Sequence, residues 1–358
     1  MSVDEYVIGE DGLREFVRLL GERYELFAPV DKETRVVWGK IKDFAEISRR
    51  YLNSEETTLL PPKKFFFRPM EVMLQFNRRS AVWSKVDADV KPFVVFGVHP
   101  CDIHGILLMD KVFGGEYKDD YYFQKREKSV IVGLDCMPTP YSFEKSMGTD
   151  RVSGGYDIFL TDIGGRYYVE VGTKKGDTLL SAISGWLRPV ADGDREVLRE
   201  FRTRKDKAFR RRISVKPEEL PRILDEAYYS EVWKKLGHQC VGCTRCSIVC
   251  PTCYCFNVEE DFLVDMENGI RFRMWDSCLR VDFAVVAGGY NFRGTLDERI
   301  RHRYYHKERV FSQEYGRVSC VGCGRCSRDC IAGIKPDEVI NELVKVVRRD
   351  DHSSVSAC

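Results

Sequence analysis

The sequence predicts an α+β protein in which an N-terminal α/β domain precedes a mostly helical, cysteine-rich domain. Up to about residue 190, short apolar runs bounded by Pro or Gly alternate with segments of helical periodicity, a texture typical of buried strands and covering helices. Further on, most segments have helical periodicity, and eight cysteines repeat one spacing twice. We therefore divide the chain into an N-terminal domain at 1–195, a helical connector at 196–235 and a C-terminal domain at 236–358.

The N-terminal domain begins with a predicted helix at 10–21, where apolar residues recur at helical spacing. The runs at 93–98 and 130–134 are rich in Val, Ile and Phe and predict buried strands. His99-Pro100-Cys101-Asp102 follows the first strand and leads into a predicted helix at 103–112. A turn between a strand and a helix is a favoured place for a ligand.

The elements that follow are predicted from turn residues and charge. Segments 156–160 and 166–171 read as a hairpin, because Gly164 and Gly165 between them suit a tight turn. A helix is predicted at 178–187. The segment 196–212 is strongly basic, but it lacks the aromatic residues that stack nucleic-acid bases, so an exposed connecting helix is favoured over an RNA-binding stripe. Residues 217–228 also read as helical.

Composition narrows the class of protein. The chain has 358 residues, 43% of them hydrophobic, and a formal net charge of +1, so nothing draws it generally to nucleic acid or to a membrane. The N-terminus lacks the apolar core of a secretory leader, and no apolar run approaches a membrane span, which predicts a cytoplasmic, reducing location. A dinucleotide fingerprint and a P-loop are also missing from the sequence, so catalysis by this chain alone is not expected.

Eight of the fourteen cysteines form two C-x2-C-x2-C-x3-C runs: Cys240, Cys243, Cys246 and Cys250, then Cys320, Cys323, Cys326 and Cys330. This is the spacing of a two-cluster bacterial ferredoxin, in which the fourth cysteine of each run ligates the other cluster. We therefore predict two 4Fe-4S clusters, one held by Cys240, Cys243, Cys246 and Cys330 and the other by Cys320, Cys323, Cys326 and Cys250. Structural zinc is the alternative, but it usually closes a single four-ligand site and fits two such runs poorly.

Two clusters at about −2 each would bring the loaded protein to about −3. Arg245, Arg325 and Arg328 lie inside the motifs, and residues 271–309 carry nine Lys or Arg against five Asp or Glu. These basic residues either offset the cluster charge or form a solvated helix face, and the sequence leaves both interpretations open.

Six cysteines lie outside the repeated spacing: Cys101, Cys136, Cys253, Cys255, Cys278 and Cys358. Cys253, Cys255 and Cys278 either supply three ligands to another metal centre or pack as small buried side chains, which is the favoured interpretation. Cys101 and Cys136 each follow a predicted strand and are expected to meet at one sheet edge. Two thiolates are too few for a cluster unless Ser142, Glu144, His99, His104 or an external group completes the site. Cys358 ends a polar tail, where no role is expected.

Five motifs carry a resemblance that runs from about residue 59 to residue 335: LPPKKFFF at 60–67, FGVHPCDI at 96–103, CPTCYC at 250–255, WDSC at 275–278 and AGGYNFR at 287–293. Together they resemble the β subunit of archaeal cytoplasmic sulfhydrogenases, in a wider family that includes an iron-sulfur chain of anaerobic sulfite reductase. The resemblance implies a 4Fe-4S electron-transfer subunit of a nickel-iron hydrogenase or similar oxidoreductase. It also implies partner chains, namely a flavin subunit that handles NAD(P)H and hydrogenase small and large subunits or another catalytic subunit.

The chain departs from that family at one site. Family members often carry a further C-x-C where this chain has Ser142 and Glu144. With Cys101 and Cys136, those cysteines would complete four ligands for a third cluster. We therefore expect two clusters, and a third only if Glu144 or another oxygen or nitrogen ligand replaces the missing thiolates.

The function predicted from the sequence is a relay of single electrons between two partner subunits, without nucleic acid or membrane. The alternatives are a subunit of a sulfite or polysulfide reductase or of a formate-linked complex, a substrate-reducing site built on Cys101, Cys136 and His99, and a nucleic-acid protein with a structural cluster.

Overall fold

Two sheets are present in the computed structural model, which describes residues 4–87 and 90–355, with 350–355 described by their backbone alone. The strands are β1 (Glu5–Gly9), β2 (Glu25–Lys32), β3 (Arg35–Lys40), β4 (Met70–Asn77), β5 (Val82–Lys85), β6 (Phe93–Val98), β7 (Ser129–Leu134), β8 (Ile158–Asp162), β9 (Arg166–Val171), β10 (Leu187–Pro189), β11 (Phe256–Phe262) and β12 (Asn268–Trp275). The larger sheet has the order β10-β1-β9-β8-β7-β6-β2-β3, and the smaller has the order β11-β12-β4-β5.

The helices cover the larger sheet and build the C-terminal part of the protein. They are α1 (Glu10–Arg23), α2 (Arg49–Leu52), α3 (Pro100–Phe113), α4 (Asp120–Glu127), α5 (Glu144–Met147), α6 (Lys174–Ser181), α7 (Asp192–Ala208), α8 (Leu220–Glu226), α9 (Glu231–Gln239), α10 (Arg245–Ile248), α11 (Leu296–Tyr304), α12 (Phe311–Tyr315), α13 (Arg325–Arg328) and α14 (Pro336–Val355). A π-helical segment, Tyr305–Val310, joins α11 to α12.

The centre of the larger sheet is parallel and buried. Strands β2, β6, β7 and β8 pair in parallel, and every residue of β6 and β7 is buried, as their continuous apolar sequences predict. One apolar core packs α1 and α6 against the sheet, and a second packs α3 and α4. Because α3 starts directly after β6, Cys101 lies at the carboxyl end of that strand.

A third apolar core holds the C-terminal helices together. It packs α8, α9, α11 and α14 around Trp233, which is 2% exposed and donates a hydrogen bond from its ring to the carbonyl oxygen of Ala227 (2.8 Å). Among the described helices, none is both long enough and apolar enough to cross a bilayer. The predicted fold class, an α/β region followed by a mostly helical one, is confirmed.

Several elements differ from the prediction. The helix predicted at 178–187 ends at Ser181, because Leu187 pairs with Ile8 of the sheet edge as part of β10. The C-terminal region also contains the hairpin β11–β12, which was not predicted. Since β12 pairs with β4, this hairpin joins a strand from the first hundred residues. The proposed boundary after residue 195 falls inside α7, which spans Asp192–Ala208.

Candidate metal centres

The two cysteine motifs fold into loops with the same backbone conformation. Each has two residues with positive φ at matching positions: Gly242 (67°) and Thr244 (63°) in the first loop, Gly322 (66°) and Gly324 (74°) in the second. Glycine adopts this conformation freely, whereas threonine does so at a cost. Each loop then enters a one-turn helix, α10 or α13, so the third cysteine of each run begins a turn of helix.

The loops enclose two cavities, each lined by four of the eight cysteines. The first cavity, here called the outer cavity, is lined by Cys240, Cys243, Cys246 and Cys330. The second, the inner cavity, is lined by Cys250, Cys320, Cys323 and Cys326. The structure thus brings together the two sets of four that the spacing names, with the last cysteine of each run facing the other run's cavity. Cys326 borders both cavities, which places them next to each other.

The outer cavity lies nearer to solvent than the inner one. Cys243 is exposed, whereas Cys250 and Cys323 at the inner cavity are buried. The second loop packs against the N-terminal domain so closely that a Cβ atom at Gly322 would lie 2.7 Å from the backbone nitrogen of Glu144, and one at Gly324 would lie 2.5 Å from Tyr141. Glycine is therefore required there for close approach as well as for its φ angle.

Sulfur atoms of the two cavities receive different hydrogen bonds. At the outer cavity, the backbone N–H groups of Gly242 and Ile334 donate to Cys240 Sγ (3.4 Å) and Cys330 Sγ (3.3 Å). At the inner cavity, Cys250 Sγ contacts the Thr252 hydroxyl (3.4 Å) and accepts from Lys307 Nζ (3.5 Å). Hydrogen bonds to cluster sulfur are one of the means by which a protein sets a cluster potential.

Burial and charge perturb the thiols of the inner cavity in opposite directions. Burial raises the pKa of Cys323 to about 11 and that of Cys326 to about 12. A hydrogen bond with the Cys253 thiol and the nearby Lys307 and Lys63 ammonium groups instead hold the pKa of Cys250 well below its usual value. Because metals bind the thiolate, metal binding would displace the protons of Cys323 and Cys326, while Cys250 is already favoured as an anion.

Two buried cations face the cavities. Arg303 is 6% exposed and borders both cavities, and its Nε has no hydrogen-bond partner among the described residues. Lys307, also 6% exposed, borders the inner cavity alone and donates to Thr252 Oγ1 (2.8 Å) and Ser319 Oγ (3.0 Å). Thiol ligands and uncompensated buried cations together fit an anionic iron-sulfur cluster at each cavity.

The arginines inside the motifs lie elsewhere. Arg245 is exposed, and Arg325 forms a fully buried bidentate pair with Asp102 (2.6 Å for each bond). Arg328 binds Asp329 (2.7 Å) and the carbonyl oxygen of Thr57 (2.7 Å). The cations that face the cavities come from the basic stretch at 271–309, which the sequence identified only as a group.

Cys253, Cys255 and Cys278 lie beside the inner cavity as two thiol contacts. The Cys253 thiol hydrogen-bonds that of Cys250, and the Cys255 thiol hydrogen-bonds that of Cys278, which lowers the pKa of Cys255 to about 7. Lys63 Nζ donates to the Cys253 carbonyl oxygen (2.6 Å) and lies 4.3 Å from the ring centroid of Trp275.

Cys101, Cys136 and Glu144 are buried together where the N-terminal domain meets the second loop. The Cys101 thiol hydrogen-bonds the Glu144 carboxyl group, whose pKa burial raises to about 7. The Ser142 hydroxyl donates to the carbonyl oxygen of Thr139 (3.1 Å). Lys205 is the nearest cation to Cys136, and it pairs with Asp135.

The two histidines of this region differ in their partners. His99 stacks on Tyr51 with 4.2 Å between ring centroids, and its buried Nε2 has no partner among the described residues. His104 Nε2 lies 2.7 Å from the Arg151 carbonyl oxygen. Within the described part of the chain, no three Cys, His, Asp or Glu side chains converge on a point where a single metal ion would fit. Cys358 lies outside the described residues.

Comparison with known proteins gives two matches. Residues 239–334 match the family model described as a 4Fe-4S dicluster domain, which covers both cysteine runs. Over 329 residues, the chain is 40% identical to a protein of Pyrococcus furiosus named sulfhydrogenase 2 subunit beta. The alignment spans 92% of this chain and 95% of that relative, so the likeness includes the N-terminal domain.

Proposed function

Because this chain belongs to the sulfhydrogenase β-subunit family, we propose that it is an iron-sulfur electron-transfer subunit of a hydrogenase-type complex. The observation that carries the proposal is the pair of adjacent cavities, each lined by four cysteines. A match to a 4Fe-4S dicluster domain over both cysteine runs supports iron-sulfur clusters as the cofactors. We further propose that there are two clusters, one at each cavity, each held by the four cysteines that line it.

A 4Fe-4S cluster supplies a centre that gains or loses one electron at a time. The chain's own residues hold and tune that centre. Eight cysteines would bind the two clusters, and Arg303 between the cavities offsets negative charge at both. Exposure of Cys243 offers the outer cavity as the place where a redox partner approaches, while the N-terminal domain shields the inner cavity from water.

We propose that the partners are a flavin subunit that handles NAD(P)H and a catalytic subunit, most simply the small and large subunits of a nickel-iron hydrogenase. The name of the Pyrococcus relative identifies it as one subunit of a sulfhydrogenase, which supports assembly with other chains. A sulfite or polysulfide reductase and a formate-linked complex are the alternatives with the same relay role.

The isolated chain tests the relay role. Purified anaerobically, it should accept electrons from dithionite and then give the electron paramagnetic resonance signals of reduced 4Fe-4S clusters. It should neither bind nor oxidise NADH or NADPH, because the flavin chemistry belongs to another subunit. The control is the same preparation before dithionite is added. Tight NAD(P)H binding by the isolated chain, or the absence of reducible clusters, would contradict the proposal.

A further inference from the structure

Most buried cations of this protein pair with a buried carboxylate. The ammonium or guanidinium groups that do so are in the pairs Lys125–Glu71, Lys205–Asp135, Arg273–Glu71 and Arg325–Asp102. This pattern is expected, because a charge removed from water without a counter-charge costs several kcal/mol. A buried cation that lacks such a partner therefore indicates where an anion belongs.

Lys307 is a buried cation without a carboxylate partner. No Asp or Glu oxygen of the described chain lies within ion-pair distance of its Nζ, which instead donates to Cys250 Sγ, Thr252 Oγ1 and Ser319 Oγ. Glu308, its neighbour in sequence, is directed to the second loop, where its Oε2 accepts the Cys320 N–H (3.4 Å). The three groups that surround the Lys307 ammonium thus supply one sulfur and two neutral hydroxyls.

The backbone fixes Lys307 in this position. The residue lies in the π-helical segment Tyr305–Val310, a type of local widening that is frequent at functional sites. Its carbonyl oxygen accepts the N–H of Ser319 (2.9 Å), the residue that precedes the second cysteine run. Main chain and side chain of Lys307 therefore both bind Ser319, and this holds the ammonium at the rim of the inner cavity.

We propose that Lys307 is the counter-charge of the inner cluster and selectively raises its reduction potential, an inference that rests on the proposed function. One electron entering a 4Fe-4S cluster changes its charge from about −2 to about −3, so a fixed positive charge favours the reduced form. No bond is made or broken in that step, and the electron comes from the redox partner. Lys307 is a positioning and tuning residue, not a cluster ligand.

The effect is selective because the two cavities have different surroundings. Lys307 borders the inner cavity alone, whereas Arg303 borders both and acts on both clusters. Sulfur atoms of the outer cavity accept hydrogen bonds from neutral backbone N–H groups. Loss of the Lys307 charge should therefore move one potential much more than the other.

The test is a redox titration of both clusters, followed by electron paramagnetic resonance, in the anaerobically purified full chain. Lys307→Met removes the charge and keeps the length, and Lys307→Arg keeps the charge. Arg309→Met is the matched control, because Arg309 lies on the same segment but pairs with Asp225 (2.7 Å). A Cys323→Ala variant, which removes an inner-cavity ligand, identifies which signal belongs to the inner cluster.

The expected result is a shift of the inner cluster to a more negative potential in Lys307→Met, with a smaller shift of the outer cluster and little change in Lys307→Arg or Arg309→Met. Equal shifts of both clusters, or no shift, would overturn the inference. If Lys307→Met loses the inner cluster and Lys307→Arg retains it, the requirement for charge is supported; loss in both variants would count against it. A wild-type chain without clusters would instead contradict the proposed function.

Discussion

Individual residues distinguish the two cavities from the third cysteine site. Arg303 and Lys307 face the cavities without a carboxylate partner, whereas Lys205, beside Cys136, already pairs with Asp135. A cluster of about −2 at Cys101 and Cys136 would therefore lack a free counter-charge. The charge pattern supports clusters at the two cavities and none at the third site.

Ligand crossing can be tested at a single residue. Cys250→Ala should remove the inner cluster, because Cys250 belongs to the first run in sequence but lines the cavity of the second. The measurement is the electron paramagnetic resonance spectrum of the reduced protein. It should match the spectrum of Cys323→Ala and differ from that of Cys243→Ala, which serves as the outer-cavity control.

A Cys250→Ala spectrum that matches Cys243→Ala would assign Cys250 to the outer cluster and contradict the crossing. Substitution by Ala is preferred to Ser, because a serine oxygen can replace a thiolate as a weaker ligand.

At the scale of elements, the small sheet joins two parts of the chain that are far apart in sequence. Glu71 on β4 accepts from Arg273 on β12 (2.7 Å) and also pairs with Lys125 on α4. Asp119 pairs with the same arginine. Since the hairpin β11–β12 follows Cys255 and precedes Cys278, this buried network holds the segment between the two cysteine runs against the N-terminal domain.

Removal of the shared carboxylate should therefore destabilise the protein. Glu71→Ala leaves the Lys125 charge buried without its carboxylate and weakens the pairing of Arg273, and breaking a buried pair in this way costs about 3–5 kcal/mol. Chemical denaturation under anaerobic conditions measures the change in the free energy of unfolding. Glu10→Ala is the control, because the Glu10–Arg14 pair is exposed and its loss should change stability little. Equal effects of the two substitutions would show that the buried network does not stabilise the fold.

For the whole molecule, the arrangement of domains sets the number of clusters. The second cysteine loop packs on the N-terminal domain beside Cys101, Cys136 and Glu144, so a third cluster there would be the next redox centre after the inner one. Ser142 is bound to the carbonyl oxygen of Thr139, and Glu144 hydrogen-bonds Cys101. Oxygen ligands are also hard and weak partners for a soft iron-sulfur centre.

We therefore expect about eight irons and eight sulfides per chain, from two clusters. Iron and acid-labile sulfide analysis of anaerobically purified protein makes the measurement. About twelve irons would reveal a third cluster, either at Cys101 and Cys136 or around Cys253, Cys255 and Cys278. Glu144→Ala then separates the two sites, since iron loss in this variant would identify the first of them.

Much of the molecule follows from local sequence. The buried strands β6 and β7, helices α1 and α3 and the hairpin β8–β9 lie close to where periodicity and glycine placement predict them. The spacing of the cysteines, which reflects the geometry of a short loop, predicts both sets of four that line the cavities. The five motifs identified the family.

Tertiary structure decided what depends on contacts between distant segments. Leu187 joins a strand because Ile8 offers it a sheet edge, and β12 pairs with a strand that precedes it by nearly two hundred residues. The roles of the cations were decided in the same way. Arg325 resembles a cluster cation in sequence, yet Asp102 neutralises it, while Lys307 is left to face the inner cavity. Whether a charge is paired depends on which distant side chains the fold brings beside it, and local sequence does not contain that information.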